Sequence, residues 1–343
     1  MRRCLFALAT LLGACVPAEY DWLVTGARFR GILVEVVEPG GYGSLLKVPP
    51  DRSRAFVLPL DTVELEWKVA VPPGSELQPP IWIACSSTCS NSLWDPMDPG
   101  MPDCPDPMPI ELVDSCRLGE GHRIRVHMGG AYAVGTPFTL LLVGSRRPDL
   151  TPEVCLERLF APSRAQLEPC IIALRDPPVS DSHIGLPFLP DSAWAPPEVL
   201  AAEADTNPTV LGFTVTRERG DVREELVVDV GAAVPVRRGD RIVAEPRFAA
   251  DASQEYWVEV GGTPGIPWSG ELELETEQFS YDVLFSQPVD YEPPDYRPPG
   301  ATTPPPSWVV PHDVVPTTLW LDIADERDGH AFVELRFVPE DDA

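Results

Sequence analysis

The chain has 343 residues, with 53 acidic side chains against 26 basic ones and a formal net charge of −27. That charge has the sign of a phosphate backbone, so a surface that tracks nucleic acid is excluded. Its 42 prolines, far above the usual share of about 5%, disfavour long helices and suit turns, edge strands and extended connections.

The first element is a leader. Met1-Arg2-Arg3 precedes an apolar run from Cys4 to Ala14, the pattern of a signal peptide over residues 1–14. The run is too short to cross a bilayer, which takes roughly 18 apolar residues. Its end, Leu12-Gly13-Ala14-Cys15, resembles a bacterial lipobox. The resemblance implies a diacylglycerol on the Cys15 sulfur, cleavage before Cys15 and a third acyl chain on the new amino terminus. Two or more acyl chains hold a protein stably to a membrane. Val16 stands where lipoproteins kept at the inner membrane often carry aspartate, so the resemblance implies the outer membrane or cell surface. Loss of Arg2 and Arg3 takes the net charge from −27 to −29. Residues 15–27 read as a lipidated tether.

Residues 28–176 read as a first β domain. RFRGILVEVVE, 28–38, alternates Ile32, Val34 and Val36 against polar neighbours. Residues 54–71 hold two β-rich runs around Pro59-Leu60-Asp61, and IWIAC follows at 81–85. An acidic loop rich in proline and cysteine spans 86–118. HRIRVHM, 122–128, and TPFTLLLVGS, 136–145, resume the strand pattern. Short strands between turn residues predict a sandwich or a barrel. Residues 151–170 break the pattern: Thr151 predicts an N-cap, with Pro152 at the first helical position. Ser163-Arg164-Ala165-Gln166 predicts a capping box for a second short helix. IIALRD, 171–176, returns as a strand.

Residues 177–206 are proline-rich and read as a linker, with one helical stretch in PPEVLAAEA. A second β domain spans 207–340. Its strand runs are NPTVLGFTVT, EELVVDVGAAVPV, RIVAEPRF, QEYWVEV and FSYDVLF. A proline-rich loop covers 288–307. TTLWLDIADERDGHAFVELRFV closes the chain as a hairpin turning at Asp328-Gly329. The two Arg-Gly-Asp tripeptides, 219–221 and 238–240, fall between strand runs, where glycine and aspartate make turns.

Apart from Cys4 and Cys15, the cysteines are Cys85, Cys89, Cys104, Cys116, Cys155 and Cys170. An even number in an exported chain predicts three disulfides, and six cysteines allow fifteen pairings. Pairing of neighbours, 85 with 89, 104 with 116 and 155 with 170, is the expectation. Zinc fits poorly, because Cys104 and Cys116 lack the close spacing of a ligand pair.

Several short motifs together carry a resemblance. They are the lipobox, Trp82-Ile83-Ala84-Cys85, the cysteine-bearing helical clip, Asn207-Pro208, Thr318-Leu319-Trp320 and Asp328-Gly329. The chain resembles uncharacterised Ig-like surface lipoproteins of myxobacteria and their relatives over most of its length. It departs from them at His330, where a second turn glycine is common, and in the loop 86–118. The resemblance implies an all-β fold of two Ig-like β-sandwich domains, the first with a small disulfide-clipped helical insertion. It carries no activity.

No G-x-S-x-G, H-E-x-x-H or phosphate loop occurs, so no catalytic residue is assigned. The histidines are His122, His127, His183, His312 and His330. Asp95, Asp98, Asp103 and Asp106 gather oxygens suited to calcium, in a spacing unlike a D-x-D-x-D-G loop. Trp94, Trp194, Trp268 and Trp308 lie in loop-like segments, and loops carry much of binding function. The sequence therefore predicts a non-catalytic lipoprotein that binds or scaffolds at the envelope, without a cofactor. Its expected partners are the membrane through the lipid, other envelope proteins and glycans. One alternative is a calcium-dependent or aromatic-loop adhesive or carbohydrate-binding module. The other is an envelope-associated hydrolase or accessory, which a concave pocket holding a histidine near two carboxylates would favour.

Overall fold

A computed structural model describes residues 20–85, 101–108, 115–130, 139–161, 167–175, 196–263, 268–293, 303–327 and 329–340. The fold is all-β and forms two sandwiches. The first opposes a three-stranded sheet, β1-β2-β5, to a four-stranded sheet, β4-β3-β6-β7. Its strands are β1 (Arg28–Glu38), β2 (Thr62–Ala70), β3 (Ile81–Cys85), β4 (Cys116–Glu120), β5 (Arg123–His127), β6 (Thr139–Ser145) and β7 (Cys170–Arg175). Alternating residues of β1 and β2, among them Ile32, Val34, Leu65 and Trp67, meet Trp82, Ala84, Leu140 and Leu142 in one core. A Cβ on Gly144 would stand 2.5 Å from the Trp67 ring, so glycine at this position lets the indole pack this close to β6.

The other residues of β3 and β6 are also buried. Ile81, Ile83, Leu141 and Val143 pack against Leu156, Leu159 and Phe160 of helix α1 (Pro152–Phe160). This third layer explains why IWIAC and TLLLVGS are continuous apolar runs: a sheet covered on both faces has no polar side. Thr151 caps α1 by accepting the Val154 N–H. The Cys155–Cys170 disulfide fastens the helix to β7. Cys104–Cys116 also forms, and Cys85 is disulfide-bonded. Its expected partner Cys89, like the second short helix at 163–166, lies outside the described residues. The acidic loop ends sooner than the sequence suggests, because Cys116–Glu120 is strand β4.

The second sandwich opposes sheet β10-β18-β17-β14 to sheet β15-β16-β11-β8-β9. Its strands are β8 (Val210–Arg219), β9 (Val222–Asp229), β10 (Ala233–Val236), β11 (Arg241–Phe248), β14 (Ser280–Phe285), β15 (Asp290–Tyr291), β16 (Ser307–Val309), β17 (Thr317–Ala324) and β18 (His330–Pro339). Phe213, Val215, Ile242, Phe285, Leu319, Leu321, Leu335 and Phe337 lie in its core. Among the described residues, β12 (Glu255–Val260) and β13 (Glu271–Thr276) pair only with each other, as a separate hairpin.

Two segments depart from their sequence reading. Residues 20–24, expected in the tether, add to the second sandwich: Leu23 bridges Phe285, and Trp22 is buried in that core. Residues 196–206, expected in the linker, hold helix α2 (Pro197–Leu200) and a packed strip in which Val199, Ala204, Asp205 and Thr206 are fully buried.

The sandwiches dock side by side. Arg30 of β1 pairs with Asp322 of β17 and donates to the Leu321 carbonyl at 2.7 Å. Gly31 leaves room for the Phe332 ring, which would lie 2.6 Å from a Cβ there. Val24 and Ala70 pack on Leu284 and Trp320. The Asn207 side chain donates to the Val34 carbonyl at 2.8 Å and accepts the His330 N–H at 3.0 Å, joining the two halves.

Candidate functional site

The structure scatters the residues nominated by sequence. Trp94, Trp194, Asp95 and Asp98 lie outside the described residues. Trp308 is not a surface aromatic: it sits on β16, only 3% exposed, with its ring edge-on to Phe285 and Phe337. Flanking prolines disguise that strand, since proline is tolerated beside a short strand. Trp268 is half-buried in the tip of the β12–β13 hairpin, where its N–H donates to Glu259 at 2.6 Å. Asp103 and Asp106 are exposed and separately engaged. Asp103 forms a backbone bridge with Arg117, and the Asp106 carboxylate stands 3.5 Å from His127. Neither belongs to a shared set of oxygens, so the described part of the acidic loop builds no calcium cage.

The two Arg-Gly-Asp turns meet each other. Gly220 and Gly239 both take positive φ, as tight turns require. Asp240 is fully buried and receives a two-pronged pair of bonds from Arg219 at 2.8 Å each, together with the Arg237 N–H at 2.8 Å. The second tripeptide is thus an internal tie and displays no aspartate.

Buried charge concentrates elsewhere. Among the described residues, Asp205, Glu277 and Asp325 form one group whose carboxylate oxygens lie within 4.8 Å of one another. Asp205 ends the packed strip before β8, Glu277 follows β13, and Asp325 opens the β17–β18 turn. The Arg327 side chain, with no solvent exposure, stands among them as their cation. It bonds Glu277 at 2.7 Å through Nε, lies 3.6 Å from Asp205 and donates to Gln254 Oε1 at 3.3 Å. Its guanidinium also lies over the Tyr256 ring, 5.2 Å from the centroid. Asp325 Oδ1 accepts the N–H groups of Arg327 at 2.9 Å and Gly329 at 2.8 Å. Asp325 Oδ2 is buried with no hydrogen-bond partner. Burial, reinforced by the Glu277 charge, pushes the Asp325 carboxyl up to about 7 from 3.8, against the pull of those two N–H groups and of Arg327.

A cleft of about 440 Å³ opens next to this node, within the size range of small-molecule sites. Leu33, Glu35, Arg52 and Ser53 of the first sandwich line one wall, and Asn207, His330 and Phe332 line the other. Asp51 also lines it, with φ of 60°, an uncommon conformation for a non-glycine residue. Most polar groups of the wall have structural work. Arg52 donates to the carbonyls of Asp251 and Asn207 at 3.0 and 2.8 Å. The Ser53 hydroxyl is held by the N–H and carbonyl of Val36 at 2.8 and 3.2 Å. Among the described residues, Glu35 and Asp51 have neither an ion pair nor a hydrogen bond to their carboxylates. No local spacing announces either the node or the cleft, because each draws its residues from distant parts of the chain.

No protein-family model, no curated protein and no solved structure matches the chain.

Proposed function

We propose that the protein is a non-catalytic lipoprotein of the outer membrane or cell surface, held by acyl chains on Cys15, that binds its ligand in the cleft between its sandwiches. The observation that carries this reading is a wall built from both sandwiches with Glu35 and Asp51 as open acceptors. Such a wall selects a ligand rich in hydrogen-bond donors or positive charge, such as an amine-bearing glycan or a basic segment of an envelope protein. A photo-crosslinker at position 51, in intact cells, is expected to give an adduct that Glu35→Ala abolishes. The same group at position 274, on the separate hairpin, is expected to give none. Identical adducts from both positions would refute the cleft. The anchor is tested by metabolic labelling with an alkynyl fatty acid, which Cys15→Ser is expected to eliminate.

One observation favours a second reading, an envelope-associated hydrolase. His330 and two carboxylates line the same cleft. Against it, the cleft's serine is locked by backbone bonds, so its hydroxyl is not poised as a nucleophile. Turnover of an envelope glycan that His330→Ala removes, with binding retained, would establish the hydrolase.

A further inference from the structure

Strand β9 is an uncovered edge. It ends the sheet β15-β16-β11-β8-β9, and among the described residues β8 is its only strand partner. Its eight residues, VREELVVD, contain no proline and no lysine, and their ladder with β8 has no register shift. Several of the devices that blunt a sheet edge are therefore missing. The edge also carries apolar side chains in solvent: Val222 is 67% exposed, Val227 62% and the following Val230 41%. Charge is the remaining guard, so a strand that pairs here has to match Arg223, Glu225 and Asp229.

The turn fixes which backbone groups face outward. Only Gly220 and Asp221 separate the two strands, and Arg219 pairs with Val222. The residues that flank a two-residue hairpin turn exchange hydrogen bonds, and bonded and unbonded pairs then alternate along the ladder. The N–H and C=O groups of Val222, Glu224, Leu226 and Val228 thus point to β8. Those of Arg223, Glu225, Val227 and Asp229 point away from the sheet. The Asp229 carbonyl accepts the Ala232 N–H at 3.1 Å. Among the described residues, the other outward groups have no backbone partner.

We propose that β9 is a self-recognition edge, to which a second copy of the chain adds its own β9 antiparallel, with the two-fold axis passing between the two Leu226 residues. In this register the outward groups meet: Glu225 opposes Val227 with both backbone bonds, and Arg223 opposes Asp229 with at least one. The side chains agree. Among the described residues, Arg223 and Asp229 have no ion pair within the chain, and each finds its counterion in the copy. On the core-facing side, where Leu226 and Val228 already pack, Leu226 meets Leu226 and Val222 meets Val230. Glu224, held by Arg217, faces Val228. Neighbouring registers fail. Centred on Glu225, that carboxylate faces its own copy; centred on Val227, Glu225 faces Asp229. Like charges directly opposite destabilise a strand pair. The two-fold axis makes each contact of the favoured register twice.

Sedimentation velocity of the full chain in density-matched detergent tests this, with a charge swap as the readout of register. The wild type should pass from monomer to dimer as concentration rises. Arg223→Asp and Asp229→Arg each place like charges opposite one another, and each should weaken the dimer by about tenfold or more. The double variant Arg223→Asp/Asp229→Arg should restore it. Val227→Pro removes an outward N–H and no bond to β8, and proline is tolerated on such an edge, so this variant should be monomeric as well. A wild type still monomeric at about 0.1 mM would overturn the proposal. So would a dimer that survives Arg223→Asp or Val227→Pro, which would place the contact on another surface. Failure of the double variant to restore a dimer lost in both single variants would overturn the register and the pairing derived from it.

Discussion

Asp240 shows how a short motif changes meaning once it is buried. Its carboxylate is enclosed and gripped by Arg219, while Asp221 of the other tripeptide is exposed. Asp240→Ala is expected to cost about 1–3 kcal/mol, because it removes the acceptor of the Arg237 N–H and one of the two carboxylates of Arg219, which keeps Glu340. Asp221→Ala is expected to change stability by less than about 0.5 kcal/mol, with urea midpoints as the measure. Asp61 makes a second such tie. It pairs with Arg54 at 2.6 Å, with side chains 1% and 0% exposed, and also accepts the N–H groups of Gly40 and Leu58 at 2.7 Å each. At Gly144 the expected fault is steric. Alanine there forces the Trp67 ring aside and should cost about 1–3 kcal/mol, visible as a lower thermal midpoint.

Helix α1 is the element with the clearest division of labour. Its cap, its buried face and its disulfide each hold it on the outer side of β3 and β6. Replacing Cys155 and Cys170 together by alanine should cost about 3 kcal/mol, the closure entropy of a loop of this size. The β17–β18 turn gives a pH prediction with a definite sign. Asp325 titrates at about 7 in the fold and at 3.8 ordinarily. The native state therefore holds a proton that the unfolded chain has released, and its contribution to stability falls as pH rises between those values. Above about 7 the contribution is flat. The difference in thermal midpoint between wild type and Asp325→Asn, followed against pH, should trace that fall. Much at this scale was legible in the sequence. β1, β17 and β18 alternate cleanly, and Thr151-Pro152 announces α1, because periodicity and caps are local signals. β13 escaped because ELELET carries only two leucines and neither enters a core. β16 escaped because prolines surround it. The node and the cleft escaped because charge pairing across distant segments leaves no periodic trace.

At the scale of the whole molecule, the sandwiches are joined by a seam of both polar and apolar contacts. Arg30 and Asp322 are 6% and 15% exposed, and burial pushes the guanidinium down and the carboxyl up, against their mutual attraction. Removing one partner leaves the other charged and poorly solvated. Arg30→Ala is therefore expected to split a single calorimetric transition into two. One transition in both proteins would show that the seam does not couple the halves. Trp22→Ala should lower the stability of the second sandwich by about 3–5 kcal/mol, as for other large buried aromatics.

The seating of Trp22 in that core also sets the length of the leash. Only seven residue steps separate it from Cys15, and an extended chain spans at most about 3.6 Å per step. With acyl chains on Cys15, Trp22 itself would lie within about 25 Å of the lipid headgroups, so the edge of the second sandwich that holds it would be the part tied nearest the bilayer.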